Sequence, residues 1–133
     1  MDLNPYLNFN GNCEEAFKFY ELHLGGKIEA IHTFAGSPME SQLPAEWRNK
    51  VMHIRMKVGT TVLMGSDAPG GRYQAPQGFS VSLNLKVPAE ADKVYEAMSV
   101  NGTVLMPIQQ TFWAKRFAMF ADSFGIPWMI NCE

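Results

Sequence analysis

Glu15-Ala16-Phe17-Lys18-Phe19-Tyr20-Glu21 returns later in the chain as Glu90-Ala91-Asp92-Lys93-Val94-Tyr95-Glu96, with five of seven residues identical at an offset of 90 − 15 = 75. Ahead of each copy lies a related triplet, Leu7-Asn8-Phe9 and Leu83-Asn84-Leu85, offset by 83 − 7 = 76. A strand-like run followed by a helix-like run therefore occurs twice in the same order. Two copies in 133 residues are too few for a solenoid. They predict a single domain, 1–133, built from paired halves: module one about 1–66, a linker about 67–78, and module two about 79–133. Pairing of modules predicts a concave cup, and function is to be sought there.

Working outward, Leu3 to Phe9 alternates as a strand, with Leu3, Leu7 and Phe9 on one face and Asn4, Tyr6 and Asn8 on the other. Asn12 and Glu15 have capping-box spacing. Ala16, Phe17, Tyr20 and Leu24 recur at helical spacing until Gly25-Gly26 stops them. Strands are expected at Lys27–Phe34, Val51–Val58 and Thr61–Ser66, with a long loop over 35–50. Module two repeats the order. Phe79 to Val87 alternates, Pro88 opens a helix that Asn101-Gly102 ends, and Thr103–Met106 is a short strand stopped by Pro107. Trp113–Ala121 and Ile126–Cys132 complete it. Each module reads β-α-β-β-β, so the fold class is α+β.

Composition narrows the functions. At 47% apolar and 18% charged residues the chain is not disordered, and a net charge of −2 gives no footprint for nucleic acid or anionic membrane. No apolar run reaches the roughly 18 residues a membrane span requires. The N-terminus has no basic or apolar signal-peptide regions, and Cys13 and Cys132 lack paired spacing, so a reduced cytoplasmic setting is expected. Cys13 at a helix N-terminus is expected to have a lowered pKa, but no histidine is placed to serve it.

A twice-repeated β-α-β-β-β unit resembles the vicinal oxygen chelate superfamily of glyoxalases, bleomycin-resistance proteins and extradiol dioxygenases. Several phrases resemble its PhnB-like subgroup: Pro5-Tyr6-Leu7, Gly11, Ala16, Phe19-Tyr20, Gly25-Gly26, Met52-His53, Leu63-Met64 and Ser66-Asp67. Met106-Pro107, Thr111-Phe112-Trp113, Asp122, Phe124-Gly125, Trp128-Met129 and Asn131 match its ending. Ala114 and Ala118 stand where the subgroup carries glycines, a departure expected to alter packing only.

The resemblance implies a curled, cup-shaped mixed sheet whose concave face binds a ligand or a divalent metal. Metal-dependent members supply His or Glu from the first and last strands of each module, converging on one ion with a position left open. Here those strands offer Asn4, Tyr6 and Asn8, then Ser80, Ser82 and Asn84, with Met64 and Met129 on the last strands. None is a carboxylate or imidazole, so no family-type metal and no cofactor are expected. His53 and Arg55, two apart on one strand, form a candidate anion-binding pair, the competing reading being a surface position for one of them. A metal at His53 would need partners the sequence does not obviously provide. Tyr6, Trp47, Met64, Trp113, Phe117, Trp128 and Met129 are candidates for an apolar pocket, against ordinary core packing, and strand parity puts Trp128 on the core side and Met129 and Asn131 on the cup side. Gly70-Gly71 does not follow a strand in a GxGxxG pattern, so the methyltransferase label attached to some PhnB-like proteins finds no support.

The expected function is small-molecule binding by a homodimer, with Tyr6, Asn8, His53, Arg55, Met64, Ser82, Asn84, Trp113, Met129 and Asn131 lining the ligand site. The alternative is a metal-dependent lyase, isomerase or thiol transferase with an atypical site using His53. A third reading has no ligand and acts through protein contacts.

Overall fold

Helix α1 spans Cys13–Leu24, and its buried residues Cys13, Ala16, Phe17 and Tyr20 share one face at three- and four-residue spacing. Gly25 closes it in the left-handed conformation, φ 66°. Its start differs from the expected capping box, because Asn12 makes no side-chain capping bond. Asp67 does that work from a distant strand. Its Oδ1 accepts the backbone N–H groups of Gly11 (2.8 Å) and Cys13 (3.0 Å), and its Oδ2 accepts that of Val51 (2.9 Å). A carboxylate is the stronger acceptor and suits the positive end of the helix dipole.

The computed structural model describes residues 1–133 and divides into two compact units, Met1–Gln74 and Ala75–Glu133. In the first, β1 (Tyr6–Phe9), α1, β2 (Lys27–Thr33), β3 (Val51–Val58) and β4 (Thr61–Asp67) give the sheet order β1-β4-β3-β2. In the second, β5 (Val81–Asn84), α2 (Pro88–Met98), β6 (Thr103–Gln109), β7 (Arg116–Ala121) and β8 (Pro127–Cys132) give β5-β8-β7-β6. The first strand of each pairs in parallel with the last, and the other pairings are antiparallel. The expected α+β class and the repeated βαβββ order are both present.

In each unit the helix packs on one face of its sheet. Leu63, Gly65 and Asp67 alternate inward along β4, and Trp128, Ile130 and Cys132 do so along β8. The opposite face carries Val62, Met64 and Ser66 in β4, and Pro127, Met129 and Asn131 in β8. This helix-free face holds the candidate site residues.

Several boundaries differ from expectation. β1 begins at Tyr6 rather than Leu3, and β5 covers only Val81–Asn84. Pro107 does not stop β6, which continues to Gln109, because β6 is an edge strand and a missing N–H costs little there. β7 begins at Arg116 rather than Trp113. The preceding residues form a turn in which Thr111 N–H donates to the Ala114 carbonyl (3.0 Å) and Ala114 N–H to Thr111 Oγ1 (3.1 Å). The loop over 35–50 contains 3-10 turns at Glu40–Gln42 and Ala45–Trp47, and Trp47 packs edge-on against Phe34.

Candidate functional site

β3 places His53 and Arg55 on the helix-free face of module one, since Ile54 and Met56 between and beyond them are buried. Register sets Tyr6 and Arg55 on either side of Met64, their common partner in β4. The Tyr6 hydroxyl lies 3.2 Å from His53 Nδ1, and the two rings stack at 5.8 Å. Asn8 pairs with Ser66, whose Oγ donates to Asn8 Oδ1 at 3.5 Å. Arg55 is not a free anion fork, because its Nε donates to Glu29 Oε1 at 3.2 Å. The structure also brings in His32. It stands directly across from His53, with ring centroids 6.4 Å apart.

In module two, Ser82 pairs with Met129 and Asn84 with Asn131, placing all four on the helix-free face. Ser82 Oγ donates to Asn84 Oδ1 at 3.4 Å. Asn131 Nδ2 donates to Glu133 Oε1 at 3.2 Å, while its Oδ1 is buried with no hydrogen-bond partner. Trp113 stands outside the strand, exposed, with its ring 5.2 Å from that of Phe117. Lys115 is exposed, whereas Arg116 turns to the helix side and pairs with Asp92 of α2 at 2.9 Å.

A cavity of about 530 Å³ opens on this face of module two, lined by Pro76, Gln77, Gly78, Phe79, Ser80, Leu105, Met119, Ala121, Gly125, Pro127 and Met129. Its volume suits a small organic ligand, and its walls are mainly apolar. Of the ten residues expected to bind ligand, Met129 alone lines it. Met119 was findable in principle: it shares the parity of Phe117 and is the cross-strand partner of Met129. Pro76–Ser80 was not, because a Gly/Pro-rich stretch carries no signal for the wall it covers.

The Cys13 expectation is overturned. Burial first, then the nearby Asp67 and Glu14, push its thiol well above the usual range, which disfavours a thiolate nucleophile. Asp67 answers the helix N-terminus and leaves no positive field for the sulfur.

On the first and last strands of the modules, from which the family's metal-dependent members are expected to ligate, the helix-free faces carry Tyr6 and Asn8 paired with Met64 and Ser66, and Ser82 and Asn84 paired with Met129 and Asn131. None of these side chains is an imidazole or a carboxylate, the usual ligands of a divalent ion in such a site. No group of three or more His, Cys, Asp or Glu with metal-binding geometry occurs.

The repeated βαβββ module, with its helix on one face of the sheet, defines an α+β protein of the two-module class. The chain belongs to the Glyoxalase/Bleomycin resistance protein/Dioxygenase superfamily, whose family model matches residues 3–130. Protein YjdN of Escherichia coli is 32% identical over 98% of this chain and 95% of its own length. The crystal structure of PA1353 from Pseudomonas aeruginosa is 47% identical, with a TM-score of 0.88 over 100% of this chain and 98% of that one. The PhnB protein from Bacillus cereus, at 20% identity, shares the fold with a TM-score of 0.83 over 100% of both chains. No helix is long and apolar enough to cross a membrane.

Proposed function

We propose that the protein binds a small, largely apolar molecule, and does so without the family's metal. The observation that carries this reading is the cavity of about 530 Å³ on the helix-free face of module two. Met119 and Met129 floor it with flexible, polarisable side chains that adapt to an aromatic or aliphatic surface. Phe79 and Leu105, both exposed, add apolar wall, and Gln77 and Ser80 are its polar lining side chains. Asn131 Oδ1, on the same face two residues along β8 from Met129, supports a ligand carrying a hydrogen-bond donor. On module one, Tyr6, Asn8, His53, Arg55 and Met64 share the helix-free face as a second and more polar surface. Sequestration or sensing is the role this arrangement suits.

The test is a thermal-shift screen of small aromatic and aliphatic compounds, repeated on Met129→Trp, which fills the cavity. Compounds that raise Tm in the parent and lose affinity at least tenfold in the variant support the reading. Compounds that bind both proteins equally, or no hit in the parent, overturn it.

A cytoplasmic homodimer is part of the same proposal. Each sheet ends, within its own module, in edge strands, β1 and β2 in one and β5 and β6 in the other, and such edges favour symmetric pairing. Sedimentation at monomer mass across micromolar concentrations would sink the dimer.

A further inference from the structure

We propose that His32 and His53 form a two-imidazole site for a late first-row divalent ion, copper or zinc, on the helix-free face of module one. The site lies on β2 and β3, away from the positions at which metal-dependent members of the superfamily hold theirs, and it is independent of the cavity in module two.

A break in strand register creates it. Lys27 and Ile28 pair with Lys57 and Met56, but a bulge then shifts the ladder so that Ala30 pairs with Arg55 and His32 with His53. Without that extra residue His32 would stand opposite Met52, on the face away from His53. A one-residue slip moves every later side chain to the other side of the sheet, so the bulge alone decides that the two imidazoles meet.

The register puts both imidazoles within reach of a shared ion, which His32 must turn edge-on to meet. Directly opposed residues have Cβ atoms about 5 Å apart, within reach of two short, rotatable side chains. The rings are nearly parallel, 20° between planes, with centroids 6.4 Å apart. An ion held at about 2.0–2.1 Å from one nitrogen of each ring would bring the centroids to about 5 Å, a closure that χ1 and χ2 rotation supplies. His32 is exposed and His53 half-buried, so the first is free to turn while the second is held.

Tyr6 supplies the hold. With His53 Nδ1–H donating to the Tyr6 oxygen, across the 3.2 Å contact, Nε2 carries the lone pair that ligates. An outer oxygen that fixes the tautomer and ring of a metal-bound histidine is a recurring requirement of such sites. Arg55, the nearest cation on the face, is paired with Glu29 and adds little net repulsion. Two nitrogens with the remaining positions left to water or a ligand select copper most strongly, then zinc or nickel.

The experiment titrates the full-length protein with Cu²⁺ and records the electron paramagnetic resonance spectrum, with Zn²⁺ as competitor. One Cu²⁺ per chain with two nitrogen ligands, displaced by Zn²⁺, is expected. His32→Gln and His53→Gln should each weaken binding at least tenfold, and Tyr6→Phe by roughly tenfold. His23→Gln, on α1, should leave it unchanged. The same two-nitrogen spectrum in a folded His32→Gln/His53→Gln double variant would overturn the site, and unaltered affinity in Tyr6→Phe would overturn the role given to Tyr6.

Discussion

The two modules repeat one architecture but solve its local problems with different residues. At the start of α1 the free N–H groups are met by Asp67, the last residue of β4. The register of module two puts Cys132 at the corresponding place in β8, and α2 begins with Pro88, which has no N–H to satisfy. One module supplies an acceptor and the other deletes a donor. The helix–sheet contact is exchanged in the same way. Phe17 of α1 is accommodated by Gly65 in β4, whereas the matching positions of module two hold Asp92 and Ile130, so bulk has moved from helix to strand. Shared architecture therefore constrains the sum of a contact more tightly than the identity of either partner.

The largest expected break of this symmetry is Asp67→Ala. It strands three N–H groups, two of those bonds being fully buried, and should cost about 4 kcal/mol in urea unfolding. Cys132→Ala, at the matching position, should cost about 1 kcal/mol, a small-cavity effect. Equal losses would mean that Asp67 does not cap α1.

Next comes Gly65→Ala. A Cβ there would lie 2.7 Å from a Phe17 ring carbon and 2.9 Å from the Leu7 carbonyl oxygen. Overpacking of this kind should cost about 2 kcal/mol, and Phe17→Leu combined with it should cost less than the two single changes added together. Strict additivity would show that the ring and the glycine are not exchanging volume.

Cys13 gives a pH test confined to module one. Its thiol, raised by burial, Asp67 and Glu14, keeps its proton in the folded state beyond the pH at which the unfolded chain releases it. Stability contributed by the protonated thiol is intact below the unfolded pKa, then falls above about pH 8.5 by roughly 1.4 kcal/mol per pH unit until the folded thiol itself titrates. Cys13→Ala should remove that component of the alkaline slope, and an unchanged slope would assign the loss to other groups.

The smallest effect is expected at Arg116–Asp92, a half-exposed pair at 2.9 Å that stands where module one places Phe17. Asp92→Ala should change stability by less than about 1 kcal/mol, and a loss comparable to that of Gly65→Ala would make the pair a structural equal of the Phe17 contact.

The fold was legible because its signals are local. The repeated heptapeptide, the helical spacing of Ala16, Phe17 and Tyr20, and the alternation along Leu3–Phe9 and Phe79–Val87 all lie within one turn or one strand of their neighbours. Parity also placed Trp128 in the core and Met129 and Asn131 on the other face, as found. The candidate site was less legible. Trp113 was read into a strand it precedes, Pro107 into a stop it does not make, and Asn12 into a cap that Asp67 supplies.

By itself the sequence determined the number, type and order of the elements and which face of most strands is apolar, since these follow from periodicity and from where glycine and proline break it. Tertiary structure decided what meets across the strands. Asp67 reaches the start of α1, Pro76–Ser80 closes one wall of a cavity with Met119 and Met129, and a bulge between Ile28 and Ala30 turns His32 toward His53. Each of these depends on the register of residues distant in the chain. Register is set by the energy of the whole paired sheet, a sum to which no short window of sequence has access.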